Sequence, residues 1–189
     1  MKILVISGHP NLSQSVNNKL ILDRLKSRFN EDIEIRDLGA LYPDYRFDIQ
    51  AEQQAMIAAD VIVWQFPFYW FSMPALMKKW LDDVFGYGFA YGGDGSKLAG
   101  KPLIVSFTAG GKAEEYRDGG AEGAEIPAFY PPLKSTAHLT QMQWREPVYS
   151  TNVLYIPNVS SDEELAQVQT RAQDHADRLI LAIEAAAER

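Results

Sequence analysis

The sequence predicts an α/β domain in three layers, with a parallel sheet between two layers of helices. Segments with strand patterns alternate with segments of helical spacing along all 189 residues. Two of the strand segments, KILVIS (Lys2–Ser7) and VIVWQF (Val61–Phe66), are almost continuously apolar, which is typical of strands covered on both faces. No linker and no repeat interrupts the pattern, so residues 1–189 are predicted to form a single domain.

The elements follow from apolar runs for strands and from apolar spacings of three and four for helices. The predicted strands are Lys2–Ser7, Ile33–Leu38, Val61–Phe66, Leu103–Thr108 and Val148–Ile156. The predicted helices are Asn17–Phe29, Ile49–Ala59, Pro74–Phe85 and Phe129–Gln141, and a last helix opens at the capping box Ser161–Glu164. Parallel sheets bind ligands beyond the carboxyl ends of their strands, so the loops after the first, third and fourth strands are the places to look for function.

The composition excludes several classes of function. The formal net charge of −7 argues against a nucleic-acid partner, because phosphates require patches of Lys and Arg. The absence of cysteine excludes disulfides, thiolate zinc sites and cysteine nucleophiles, and no metal site is predicted. No apolar run approaches the ~20 residues of a membrane span, and the first run is too short for a secretory leader. We therefore expect a cytoplasmic protein.

The first loop, SGHPNLSQSVNN (Ser7–Asn18), contains neither the dinucleotide fingerprint nor a P-loop. It brings short polar side chains to a predicted helix N-terminus: Ser13, Ser15, Asn17 and Asn18. Free N–H groups and the positive end of the helix dipole suit an anion such as phosphate there. Ordinary helix capping by Ser15 or Asn17 is the alternative, and His9 by itself is read as a turn residue.

The second loop carries four consecutive aromatic residues, Phe68, Tyr69, Trp70 and Phe71, between Pro67 and Pro74. Consecutive side chains point in different directions, so one core cannot bury all four rings. Rings at the ligand edge of a sheet indicate a flat aromatic ligand or a protein interface.

The third loop, FTAGGKAEEYRDGGAEG (Phe107–Gly123), opens with Thr108-Ala109-Gly110-Gly111 directly after a strand. Because glycine has no Cβ, backbone N–H groups at such a turn can approach a ligand closely, although a plain flexible turn is the alternative. Together the three loops predict a phosphate cradle, an aromatic wall and a turn rich in donors at one edge. A flavin has the phosphate tail and the flat polar ring system that fit all three.

Four stretches, SGHPNLSQSVNN, WQFPFYWFSMPALMKKWLDDVF, GFAYG and TAGG, resemble the flavodoxin-like NAD(P)H:quinone oxidoreductases. The resemblance is greatest to the bacterial branch that includes the ancillary subunit of glutathione-gated potassium efflux systems. It runs from Met1 to about Gly123, and beyond Gly123 only the strand-and-helix pattern matches. It implies a flavodoxin-like three-layer α/β/α sandwich, with a five-stranded parallel sheet in the order 2-1-3-4-5, and a tightly bound FMN or FAD.

The resemblance also implies roles for individual residues. The phosphate side of the flavin is matched by His9, Ser15, Val16, Asn17 and Asn18. The isoalloxazine edge is matched by Pro67, Phe68, Tyr69, Trp70 and Phe71, and the pyrimidine side by Thr108, Ala109, Gly110 and Gly111. Tyr116 matches the active-site tyrosine of the family, whereas Glu122 falls in the register of the histidine that follows it in mammalian members.

The implied chemistry is a two-electron, ping-pong transfer. NAD(P)H gives a hydride to flavin N5 and leaves, and a quinone then takes the hydride from the same face. The backbone N–H groups of Gly110 and Gly111 are expected to stabilise the negative charge of the reduced flavin. Tyr116 is expected to donate a hydrogen bond to the same edge or to the quinone, so these three are the predicted catalytic residues. A solvent-exposed tyrosine on a mobile loop is the alternative for Tyr116.

Several alternatives stay open at this stage. FMN is favoured over FAD because no adenine clamp is evident. The strongly acidic third loop leaves the choice between NADH and NADPH as electron donor undecided.

A one-electron flavodoxin carrier shares the fold, although the aromatic loop and the Gly-rich segment Tyr87–Gly95 favour an enclosed pocket. A regulatory subunit of a potassium efflux system, with a membrane transporter as partner, and a flavin-free binding module are further alternatives. The resemblance implies a homodimer, with which exposed aromatic residues in Phe85–Tyr91 are consistent.

Overall fold

A parallel sheet of six strands lies at the centre of the fold, in a computed structural model that describes residues 1–93 and 96–188. The strands are β1 (Ile3–Ser7), β2 (Ile33–Asp37), β3 (Val61–Pro67), β4 (Pro102–Thr108), β5 (Gln143–Trp144) and β6 (Val148–Ser150). Their order is β2-β1-β3-β4-β5, and β6 also pairs with β4. The predicted order 2-1-3-4-5 is confirmed.

The edge of the sheet differs from the predicted fifth strand, Val148–Ile156. Two short strands, β5 and β6, pair with the same strand β4. From the pair Leu103–Trp144 to the pair Ser106–Val148, β4 gains three residues while the edge chain gains four. The extra residue makes a bulge beside Pro147, which has no N–H to donate to the ladder. The chain then leaves the sheet, so residues 151–156 form a loop instead of a strand.

Helices cover both faces of this sheet. They are α1 (Val16–Phe29), α2 (Leu38–Leu41), α3 (Ile49–Ala58), α4 (Ala75–Val84), α5 (Pro131–Leu139) and α6 (Asp162–Ala187). Helices α1 and α6 pack on one face, and α3, α4 and α5 on the other. The five predicted helices are confirmed, and the short α2, which Asp37 caps through its side chain, was not predicted. Within the described part of the chain, no helix is both long and apolar enough to cross a bilayer.

The two central strands, β3 and β4, are buried along their whole length. Their residues alternate between the two helical layers, with Trp64 and Phe66 facing α4 and Val63 facing α1 and α6. Towards the carboxyl end, the α1–α6 face becomes polar. Ser7, Gln65 and Ser106 are neighbours in register across β1, β3 and β4, and all three are fully buried.

Candidate functional site

The loops after β1, β3, β4 and β6 meet at the carboxyl edge of the sheet. Three main-chain hydrogen bonds of 2.8 Å join them. The N–H of Gly8 donates to the carbonyl of Gln65. The N–H of Phe68 donates to the carbonyl of Thr108, and the N–H of Ala109 donates to the carbonyl of Ser150. The three loops singled out in the sequence therefore share one edge, as expected. The fourth loop, after Ser150, was missed because its residues were assigned to the last strand.

The first loop leads into the N-terminus of α1. The Ser15 hydroxyl accepts a hydrogen bond from the N–H of Asn18 at 3.1 Å, so Ser15 is the cap, and Asn17 lies inside the helix. The Asn17 amide donates to the carbonyl of Val153, while its buried Oδ1 has no partner among the described residues. The first N–H groups of an α-helix, here those of Val16 and Asn17, have no partner within the helix and lie at its positive dipole end.

His9 follows β1 in the same loop and is buried. The N–H of Asn11 donates to its Nδ1 at 3.0 Å, and the Tyr69 ring lies edge-on at 6.3 Å. Burial lowers the pKa of His9 below its usual value, against the opposing field of Asp37. The ring is therefore neutral at pH 7, and because Nδ1 accepts a hydrogen bond, its proton is on Nε2. His9 thus offers one neutral N–H donor.

Asn18 holds three elements together from a fully enclosed position. Its Nδ2 donates to Thr108 Oγ1 at 3.1 Å, and its Oδ1 accepts from Gln65 Nε2 at 2.8 Å. These bonds fix the first turn of α1 against the ends of β3 and β4. Asn18, expected on the phosphate side, therefore directs its amide into the sheet.

The aromatic loop reverses the chain in a tight turn. The N–H of Ser72 donates to the carbonyl of Tyr69 at 3.1 Å, and the two central residues, Trp70 and Phe71, have φ of 48° and 65°. Positive φ at both central positions is the pattern of a type I′ turn, which favours Gly and Asn. Two bulky residues there carry backbone strain, which is found more often at functional sites than elsewhere.

The four rings of this loop differ in burial. Phe68 packs on Phe107 and Phe129 at centroid distances of 4.8 and 5.4 Å, and Phe71 stacks on Phe129 at 5.3 Å. Trp70 is 92% exposed and Tyr69 is 46% exposed. Phe71 is 40% exposed, so of the four rings only Phe68 packs against the core, and the rings do not form one continuous wall.

Tyr116 packs against the glycine turn and is only 9% exposed, so the alternative of an exposed tyrosine is wrong. The backbone N–H of Gly111 lies near its phenolic oxygen and acts to lower the pKa of Tyr116. Burial, with the fields of Glu122 and Glu115, raises the pKa of Tyr116 to about 12. The phenol is therefore protonated at neutral pH and can donate a hydrogen bond.

Glu122 occupies the space in front of Gly111. Its Oε1 lies 2.2 Å from the position that a Cβ on Gly111 would take. Any side chain at position 111 would have to displace this carboxylate. Glu122 therefore contacts the glycine turn directly.

The Gly-rich segment is described as far as Gly93, and Asp94 and Gly95 lie outside the described residues. Phe89 is buried, whereas Tyr87 is 75% exposed and lies edge-on to the half-exposed Tyr91 at 6.0 Å. Tyr87 and Tyr91 are therefore exposed, as expected of aromatic residues in Phe85–Tyr91.

Comparisons with known proteins agree with this architecture. A family model described as having a flavodoxin-like fold matches residues 1–176. The chain is 40% identical to the glutathione-regulated potassium-efflux system ancillary protein KefF of Enterobacter sp. (strain 638), over 94% of this chain and 95% of the relative. The crystal structure of general stress protein 14 from Treponema denticola, in complex with FMN, superposes with a TM-score of 0.84 and 33% identity, covering 96% of this chain and 99% of that one. An NADPH-quinone reductase from P. pentosaceus superposes with a TM-score of 0.73 and 26% identity, covering 91% and 98%.

Proposed function

Since the chain belongs to the flavodoxin-like family, we propose that it is an FMN-dependent NAD(P)H:quinone oxidoreductase that transfers two electrons as a hydride. The proposal is supported by one observation above others: a helix N-terminus, a strained aromatic turn and a buried, protonated tyrosine on a glycine turn share one sheet edge. It is also supported by the FMN in the Treponema structure and the reductase activity named for the P. pentosaceus protein.

The residues at this edge fit the parts of FMN. The N–H groups of Val16 and Asn17 suit the phosphate, and the unpartnered Oδ1 of Asn17 suits a ribityl hydroxyl, which needs an acceptor. His9, in the same loop, adds the donor Nε2–H. The Leu154 side chain lies 3.5 Å from the position that a Cβ on Gly110 would take, so Leu154 lines that side of the glycine turn.

Bound FMN would supply the acceptance and return of a hydride, which no side chain of the protein can perform. The protein's part is to bind, orient and handle protons. Tyr116 holds its proton across the physiological pH range and can donate a hydrogen bond to an oxygen that gains negative charge. Tyr69 and Trp70 supply ring surfaces on which a flat substrate can stack.

The cofactor proposal is tested by titrating the flavin-free protein with FMN, FAD and riboflavin and following flavin fluorescence and the visible spectrum. We expect FMN to bind most tightly. A protein that is colourless as purified and binds none of the three at micromolar concentration would refute the flavin site.

Asn17→Asp is expected to weaken FMN binding by about 10- to 100-fold while weakening riboflavin binding much less. The new carboxylate repels the phosphate, which riboflavin lacks, whereas the loss of the bond to Val153 affects both ligands alike. An acidic residue in the first turn is compatible with the helix, so the fold is retained. Equal losses for the two ligands would show that the phosphate does not lie at the start of α1.

Tyr116→Phe is expected to slow the reduction of menadione by NADPH about tenfold, because a hydrogen-bond donor to the developing oxyanion is lost. Stopped-flow measurements of the two half-reactions locate the effect. Tyr87→Phe, the same change on an exposed ring, is the control. Unchanged rates in both half-reactions would remove Tyr116 from the mechanism, and appreciable semiquinone release would favour the one-electron carrier.

The wider setting of the enzyme is also a proposal. The similarity to KefF supports a second role as ancillary subunit of a potassium efflux system, and co-purification with a membrane transporter tests it. The exposed Tyr87 and Tyr91 support a homodimer, which analytical ultracentrifugation tests. We propose a cytoplasmic location, which cell fractionation tests.

A further inference from the structure

A short stretch of chain, Ser150–Val153, joins two parts of the proposed flavin site, and we call it the bridging segment. At one end it holds the glycine turn through main-chain bonds from Ala109 N–H to the Ser150 carbonyl (2.8 Å) and from Asn152 N–H to the Gly111 carbonyl (2.7 Å). At the other end the Val153 carbonyl accepts a hydrogen bond from the side chain of Asn17 on α1. A displacement of this segment would therefore move both the glycine turn and the helix start.

Helix α6 holds the bridging segment with three side chains from one of its faces. Arg171 donates to the carbonyl of Asn152 at 3.2 Å. His175, one turn further along, lies 3.0 Å from the Ser150 hydroxyl through Nδ1. Arg178 donates to the same hydroxyl at 2.8 Å and to the carbonyl of Tyr149 at 2.9 Å. Residues at these spacings project from the same side of a helix, so a rigid element fixes the segment at several points.

The second ring nitrogen of His175 completes a chain of hydrogen bonds through the core. Its Nε2 lies 2.7 Å from the hydroxyl of Ser106 on β4, and His175 is fully buried. A neutral imidazole donates from one nitrogen and accepts at the other, so both hydroxyls are satisfied. An apolar side chain could fill the same space without the cost of burying polar atoms, but it could not hold Ser150.

We propose that Arg171, His175 and Arg178 are positioning residues of the flavin site, which act through the bridging segment although all three lie on α6, outside the loops expected to bind flavin. The inference rests on the proposed function. It adds that the last helix determines how well the glycine turn and the start of α1 are preorganised for one ligand.

Two variants test the proposal, and neither removes a buried ring. Ser150→Ala deletes the hydroxyl that meets His175 and Arg178, and Arg171→Ala deletes the hold on Asn152 from a partly exposed position. We expect each to weaken FMN binding by about tenfold, the equivalent of one lost hydrogen bond. In the flavin-free protein we expect hydrogen exchange at the amides of Ala109 and Asn152 to accelerate about tenfold.

Asp177→Asn is the matched control. Asp177 lies on the same helix but pairs with Arg24 on α1, in an exposed ion pair. We expect its FMN affinity and amide exchange to match the wild type. Chemical denaturation of all variants separates local loosening from loss of global stability.

The outcomes are distinct. If both variants bind FMN within about twofold of the wild type, the inference is overturned and the proposed function stands. Weaker binding with unchanged amide exchange would also overturn it, since the effect would not pass through the bridging segment. If the wild type itself binds no FMN, the proposed function is overturned and the inference with it.

Discussion

Glu52→Ala is expected to lower the free energy of unfolding by about 3–5 kcal/mol, because it removes one partner of a buried ion pair. The Glu52 carboxylate is completely buried and lies 2.6 Å from the guanidinium of Arg36. It also accepts hydrogen bonds from the Tyr42 hydroxyl at 2.6 Å and from the Trp80 indole at 3.0 Å. These contacts join β2, α3 and α4, so the variant leaves several donors without an acceptor inside the protein.

Glu34→Ala is the control, because Glu34 contacts the same Arg36 from an exposed position, at 2.8 Å. We expect it to change the free energy of unfolding by less than about 1 kcal/mol, as is usual for exposed ion pairs. Urea denaturation followed by circular dichroism measures both variants. Similar small effects for the two would show that water replaces the Glu52 carboxylate as the acceptor for Arg36, Tyr42 and Trp80.

The wild-type protein is expected to lose stability as the pH falls below about 6.5, at about 1.4 kcal/mol per pH unit from His175 alone. Burial, with a smaller contribution from Arg178, lowers the pKa of His175 to about 3. Below pH 6.5 the unfolded chain therefore binds a proton on this residue that the folded chain does not bind until about pH 3. The stability linked to neutral His175 is complete above pH 6.5 and declines between these two values.

His175→Gln removes this proton uptake, so we expect the variant to lose about 2 kcal/mol less stability than the wild type between pH 6.5 and pH 5. Its stability at pH 7 is expected to be lower, because glutamine cannot reproduce both bonds to Ser106 and Ser150. Denaturation curves at several pH values measure the difference, with His138→Gln, on the exposed side of α5, as the control. Parallel pH profiles for wild type and His175→Gln would contradict the assignment.

The layered sheet was predictable because its signals are local. Apolar runs identified β1, β3 and β4, and the box at Ser161–Glu164 identified the start of α6, where both reciprocal hydrogen bonds are present. The edge of the sheet was not predictable in the same way. The apolar pattern after Val148 suits a strand, but pairing requires a partner, and β4 ends at Thr108, which pairs with Ser150, the third residue of the predicted strand.

The candidate site was predictable in part. Four adjacent rings indicated that one core could not bury them all, but that Phe68 alone packs against the core depends on the turn that the positive φ values of Trp70 and Phe71 make. The sequence left Tyr116 undecided between buried and exposed positions. Packing against the glycine turn decides it, because that contact removes water from the phenol.

By itself the sequence determined the alternation of strands and helices, the cap of α6 and the loops that meet at the carboxyl edge of the sheet, since each depends on residues close together in the chain. Only the tertiary structure decided the polar contacts behind that edge. Asn18 meets Gln65 and Thr108 across separations of 47 and 90 residues, and His175 meets Ser106 across 69. A hydrogen bond requires its two atoms within about 3 Å, and for residues so far apart only the packing of the whole chain provides that distance.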